Sequence, residues 1–319
     1  MEIVISHISA LDFWRRFRGD CRHLQRVHRP EAMIRPVHIG AGLRDELRAL
    51  GFSATPESPV DLLFYRDGLR SESRLVRAHA TARLLPPDSL VRLSDRVLIS
   101  SPELTFAQVA KDYPFEQLAM LGSELCGAYR VLDDDGSPLP LPGERPPLST
   151  AADIADTIKR LGLGPRTTAA RAARYLFDNA RSPMEVKVAL LLSLPKRMGG
   201  LGLPRPVLNP SFRLSPQAHA LYPHNPCHLD LFWPTALLDV EYDGVDAHPA
   251  EAHAKDVART SALMLDGMEV ITLTKAQVYD EHRFLAVAEI IAKRLHRELP
   301  ALTPSFGMAH ARLRRELGL

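Results

Sequence analysis

The chain is expected to be an α/β protein built as two domains, and three features of its sequence carry that expectation. First, 319 residues with 45% hydrophobic content can bury a sizeable core, and that length suits two domains. Second, residues 237–243 alternate polar and apolar after a short apolar run at 228–233. An amphipathic stretch and another apolar run follow, so the C-terminal half reads strand, strand, helix, strand. Third, strand-like runs at 60–65, 75–80 and 90–100 precede helical ones, which reads as α+β. The expected units are an N-terminal α+β domain over 1–132, a linker over 133–149, connecting helices over 150–181 and a C-terminal α/β domain over 182–319.

Taken in order, residues 2–5 predict a short strand, and Ser9 is placed to cap a helix that begins at Ala10. Beyond it stand Arg15, Arg16, Arg18, Arg22, Arg26 and Arg29 against one acid, Asp20, with Phe13, Trp14 and Phe17 interleaved. Two readings fit: a basic helix on a phosphate backbone, with Arg15, Arg18 and Arg22 as contacts, or a solvated helix whose aromatics pack inward. Residues 44–50 predict a helix stopped by Gly51, and Val60–Tyr65 a strand closed by the Arg66-Asp67-Gly68 turn. Ser101-Pro102-Glu103 opens a helix with proline at its first position, and 115–128 reads as another. Residues 133–149, rich in proline and opened by Asp133-Asp134-Asp135-Gly136, are linker chemistry.

Thr150 with Asp153 is a capping box, and 167–179 reads as a second helix. Ser182 with Glu185 repeats the box, ahead of an apolar helix over 186–194. A loop at 199–206, a strand at 210–214, a buried strand at 268–273 and a long closing helix over 277–299 follow. The C-terminal HARLRRELGL predicts a short basic helix or tail.

A formal net charge of +2 does not by itself announce a nucleic-acid binder. The cations are overwhelmingly arginine, which suits bidentate phosphate contacts better than lysine does. Cys21, Cys126 and Cys227 form no paired motif, so reduced thiols in a cytoplasmic protein are expected. The start, MEIVISHISALDF, lacks a basic opening and a long apolar core, which argues against a signal peptide. No apolar run reaches membrane-spanning length, so no membrane partner is expected.

The chemistry concentrates in residues 228–259. Pro234-Thr235-Ala236 is turn chemistry, so the flanking strands predict a β-hairpin. In any even-length loop centred between Thr235 and Ala236, the partner of Asp230 is Glu241. Opposed side chains stand about 5 Å apart at Cβ, and like charges there repel unless a cation sits between them. A hard divalent ion held by carboxylate and water oxygens is the natural candidate. A solvated strand face accounts for Asp239, but not for Asp230, which lies among Leu229, Leu231, Phe232 and Trp233. Lys255, Asp256 and Arg259 then share one side of the following helix.

Leu229-Asp230, the tract Val240-Glu241-Tyr242-Asp243-Gly244, His248, Asp256 with Arg259, and Met268-Glu269-Val270-Ile271 resemble the very-short-patch-repair-like branch of the PD-(D/E)XK endonuclease superfamily. The resemblance spans residues 182–299. It implies a three-layer, restriction-endonuclease-like α/β core, and Mg²⁺ held by Asp230 and Glu241 with Asp243. Mn²⁺ could substitute. It also implies a site role for Glu185 at the head of the first helix, a reading compatible with its place in the capping box. The superfamily's lysine is here Asp243, which makes His248 and Lys255 the candidates for that role. Arg259 is the phosphate contact, with Asp256 orienting it. Repair enzymes of this type carry a zinc cluster, but Cys227 alone cannot build one, so no zinc is expected.

The tract VLISSPELTFAQVA at 97–110 resembles a segment of AbiEi-type antitoxins. The expected activity is metal-dependent endonucleolytic cleavage of nucleic acid, DNA favoured. The alternative is an antitoxin-like or regulatory protein that keeps the nuclease fold only to bind nucleic acid or a partner.

Overall fold

The computed structural model describes residues 2–28, 39–65, 73–131, 145–224, 226–244 and 250–319, the side chains of 250–254 excepted. His248, Arg29, the Arg66-Asp67-Gly68 turn and most of the expected linker lie outside the described residues. The fold is mixed α/β, and it divides into two units, Met1–Leu176 and Phe177–Leu319.

The first unit is a six-stranded mixed sheet with helices. Its strands are β1 (Ile3–Ile5), β2 (Arg26–Val27), β3 (Val60–Tyr65), β4 (Val76–Thr81), β5 (Leu90–Arg92) and β6 (Val97–Ser100), in the order β2-β5-β6-β1-β3-β4. β1 and β6 are parallel, as are β3 and β4. The run at 90–100, expected as one strand, is the hairpin β5–β6. Its turn is held by Leu93 N–H and Ser94 N–H, which both donate to the Val97 carbonyl.

Helix α1 (His7–Arg16) begins three residues earlier than expected. The reason is tertiary: Ser9 N–H donates to the buried Asp61 carboxylate of β3, so a distant acid satisfies the N-terminal amide that a local cap would serve. Helices α2 (Ala41–Ala49), α3 (Pro102–Val109), α4 (Phe115–Leu125), α5 (Ala151–Arg160) and α6 (Thr168–Ala172) complete the unit. Ser101 caps α3 and Thr150 caps α5 as their spacing requires. The helices after the linker belong with this unit, since Ser149 Oγ donates to Glu103 and Arg145 donates to the carbonyls of Trp14 and Glu124.

The second unit opens with α7 (Pro183–Ser193), buried along nearly its whole length. Short strands β7 (Val207–Leu208) and β8 (Ser211–Phe212) replace the single strand expected at 210–214, and they join different sheets. Helix α8 (Pro216–Leu221) leads to β9 (Cys227–His228), which pairs with β8. Strands β10 (Leu231–Trp233), β11 (Leu238–Asp243) and β12 (Glu269–Thr274) build the main sheet, in the order β12-β11-β10-β7. β10 and β11 are antiparallel, and β11 and β12 parallel.

Helix α9 (Ala250–Leu265) connects β11 to β12. Its Ala258, Ala262 and Leu263 pack with Phe232, Val270 and Met268 over one face of the sheet. β12 is an edge strand with only Leu273 buried, not the buried strand expected. The closing helix is two helices, α10 (Lys275–Tyr279) and α11 (Glu281–Arg294), broken at Asp280, whose carboxylate caps the second. The C-terminal stretch is no tail: in α12 (Pro304–Glu316), buried His310 bonds the Gly199 carbonyl and Arg314 donates to Val278 and Tyr279. Among the described residues, no helix is long and apolar enough to cross a membrane.

Candidate functional site

The β10–β11 hairpin sets the site. Its register pairs Leu231 with Val240, Phe232 with Asp239 and Trp233 with Leu238, so each pair sums to the count that opposes Asp230 to Glu241. Asp230 lies one residue before the ladder and keeps to it: its Oδ2 accepts the Tyr242 N–H at 2.9 Å. Because opposed residues share a face, Asp230, Asp239 and Glu241 all stand on the face that α9 covers. The acids were expected on one face, and they are. That face is not solvated at the Asp239 end.

Asp239 is 0% exposed. The register sets it between Phe232 and Val270, beneath the α9 cluster. Among the described residues, no donor reaches either of its oxygens. Its contact with Glu241 is carboxyl to carboxyl, which holds only with a proton between the two. Burial first, then that contact and the charges of Glu241 and Asp230, raise its carboxyl far above the usual range. Asp230 is raised too, by burial and by the charges of Glu241 and Glu185.

The cation that opposed carboxylates demand is present within the chain. Arg259 Nη2 donates to Glu241 Oε1 at 2.6 Å and to the His228 carbonyl. Despite its burial, the pairing raises the Arg259 guanidinium further above its ordinary range. The expected role of Asp256 as its orienting partner is thus taken by Glu241. With Glu241 turned to Arg259 and Asp230 to a backbone amide, no three acidic, imidazole or thiol groups among the described residues converge on one ion position.

Ser182 caps α7 by accepting the Glu185 N–H at 3.2 Å, so the helix-capping half of the expected box is present. Ser182 Oγ donates to Glu185 Oε1 at 2.8 Å, and Arg181 N–H and Asn209 Nδ2 donate to its Oε2 at 2.9 and 2.5 Å. Asn209 N–H also donates to the Asp230 carbonyl, tying the head of α7 to the hairpin. Burial raises the Glu185 carboxyl.

A groove of about 500 Å³ opens along this end of the sheet. Glu241, Asp243 and Thr272 lie along the strands, and Asp256, Arg259 and Thr260 along α9. Asp243 is therefore at the groove, two residues outward from Glu241, while Lys255 is exposed on α9 and does not line it. Set against protein-family models, curated proteins and solved structures, the chain matches none.

The arginines expected on phosphate lie in the other unit, and two of the three, Arg15 and Arg22, have carboxylate partners. Arg15 donates through Nε and Nη2 to Glu124, whose side chain is 2% exposed, so it balances a buried acid. Arg18 and Arg22 fall beyond the end of α1. Arg18 is exposed, and Arg22 grips Asp20 at 2.7 Å. Phe13 and Phe17 stack, Trp14 meets both edge-on, and Trp14 Nε1 donates to the buried Ser100 carbonyl. The inward-packing reading of these aromatics holds.

Asp239 and Asn209 are the residues that sequence reading missed. Phe232 was the available signal for Asp239. A large apolar side chain opposite it on the same face marks that face as covered.

Proposed function

We propose that the C-terminal unit hydrolyses phosphodiester bonds in nucleic acid, DNA ahead of RNA, with Mg²⁺ as its cation and Mn²⁺ able to substitute. One observation carries this reading: the carboxyls of Asp230, Asp239 and Glu241 share a sheet face with a single guanidinium, Arg259, beside an open groove. The donor set is all oxygen, and the orphaned oxygens of Asp239 leave room for a hard cation in its electrostatics. Asp230 and Glu241 would hold the ion, with Asp243 at the rim. The chemistry such an ion would supply there is polarisation of a phosphoryl oxygen and a lowered pKa for its bound water.

The chain's own groups do the rest. Arg259, once it leaves Glu241, offers a planar two-donor fork to a phosphate. Lys255, exposed on the same helix, supplies a cation for a neighbouring backbone phosphate. Asp243 cannot provide the positive charge of the family's lysine. His248, whose ordinary pKa of about 6.5 lets it exchange protons near neutrality, is the candidate to move the proton.

One observation favours a second reading, a protein that binds nucleic acid or a partner without cleaving it: Arg259 already neutralises Glu241. Supercoiled plasmid incubated with the full chain and Mg²⁺ separates the two. Nicking that is lost in Asp230→Ala supports hydrolysis. Retardation of the DNA by both proteins, with no nicking, supports the binding protein.

A further inference from the structure

We propose that Asp239, which no sequence pattern assigned to the site, is a ligand of its divalent cation, and that Arg259 is the resident counter-ion the cation displaces from Glu241. This rests on the reading of the unit as a cation site and names which side chains make it.

The first support is geometric. Asp239 and Glu241 are two residues apart on one strand face, so their Cα atoms stand roughly 7 Å apart, and two carboxylate arms over that distance can close on one ion. Asp230, opposite Glu241 on the same face, would be the third oxygen ligand once Glu241 turns from Arg259 toward the ion.

The second support is independent of that placement. Asp239 is fully buried, and among the described residues no donor meets either oxygen. Its neighbours along the register, Phe232 and Val270, belong to an apolar cluster that any aliphatic residue would suit better. As they stand, Asp239 and Glu241 can meet only by sharing a proton, and a cation between them would take that proton's place.

Arg259 completes the account. Its Nη2 holds Glu241 and the His228 carbonyl together, so the guanidinium stands where opposed carboxylates call for positive charge. Arg259 already compensates the Glu241 charge, so an ion entering between the carboxylates and the guanidinium repel each other across that one side chain. A divalent cation therefore competes with Arg259, and entry of the ion frees the guanidinium to face the groove that Arg259 lines. Loading the site and presenting the phosphate-binding fork become one event.

Mn²⁺ binding to the full chain, measured by calorimetry and by loss of the free-ion spin-resonance signal, tests both parts. The wild-type chain is expected to bind one ion at the site. Asp239→Asn is expected to weaken binding tenfold or more, and Asp243→Asn less than threefold. Arg259→Gln is expected to tighten it several-fold, and Arg259→Lys, which keeps a cation, to leave it near wild type. If Asp239→Asn binds like wild type while Asp230→Asn and Glu241→Gln lose the ion, Asp239 is not a ligand and the cation site stands without it. If Arg259→Gln binds no more tightly than wild type, Arg259 is not the competing counter-ion. If the wild-type chain takes up no Mn²⁺, or Asp230→Asn and Glu241→Gln bind unchanged, the cation-site reading itself falls. Melting curves without metal keep the Asp239→Asn result clean, since that variant is expected to be the more stable protein.

Discussion

Replacing Asp239 by asparagine is expected to stabilise the metal-free protein. The side chain is 0% exposed, no donor among the described residues reaches its oxygens, and its polar neighbour is another acid. Keeping a proton on a buried carboxyl beside a second acid costs the folded state stability at neutral pH, on the scale of the roughly 1–3 kcal/mol of a poorly satisfied buried polar group. Asparagine fills nearly the same space, carries no charge and can donate an amide N–H toward Glu241. A gain of about 2 kcal/mol corresponds to a melting-temperature rise of roughly 4–8 °C for a protein of this size. The sign with pH follows from the raised carboxyl. The unfolded chain ionises near pH 4 and the folded one much higher, so the wild-type penalty grows as pH rises above about 4. The advantage of the variant is therefore larger at pH 8 than at pH 5. Trp233 lies buried in the same sheet and reports unfolding of this unit in a Trp14→Phe background. Urea midpoints in chelator at both pH values are the measurement. An equal or lower midpoint for the variant at pH 8 would show that folded Asp239 finds a donor, and the charge count behind the site would fail.

Other expectations concern the first unit. Arg15→Ala strands the buried Glu124 and is expected to cost about 3 kcal/mol in a denaturant titration, whereas Arg22→Ala, at an exposed pair, should not measurably move the midpoint. If Arg18 and Arg22 touch phosphate, replacing both flattens the dependence of nucleic-acid affinity on salt by about one unit of slope per contact; an unchanged slope removes them from binding. His7 sits buried at the head of α1 with φ of 50°, its ring stacked 3.5 Å from that of His79. Burial first, then the charges of His79 and Lys111, lower its pKa to about 3. A depressed histidine is stabilising above its unfolded value near 6.5 and loses that contribution as pH falls toward 3. Between pH 6.5 and 5 the loss is roughly 2 kcal/mol, and His7→Asn, which tolerates the positive φ, should lose correspondingly less.

What the sequence made legible was local or periodic. The hairpin register could be counted because Pro234-Thr235-Ala236 marks the turn and a strand's period of two allows no half-steps, and the observed pairs keep that count. Ser101, Thr150 and Ser182 cap the helices their spacing announced, since a cap depends on its own next three residues. What stayed illegible was settled across long separations. Arg15 meets an acid 109 residues away, and α1 begins where Asp61, 52 residues on from Ser9, takes up its amide. The break at Asp280 was local, yet the apolar spacing ran through it and hid it.

Asp239 shows how a correct pattern can carry a wrong consequence. Alternation in β11 does put Asp239, Glu241 and Asp243 on one face, and a polar face of a strand is ordinarily wet. Burial, however, belongs to the layer above the strand, and here α9 lays Ala258, Ala262 and Leu263 over the Phe232–Asp239–Val270 row. Only the outer two acids reach the groove. The same three residues therefore span a gradient from a dry, donor-free carboxyl to a half-exposed one. An ion entering from the groove meets Asp243 first and Glu241 next. Asp239 lies beyond them, where water competes least, and the ion would have to take the place of the proton held there.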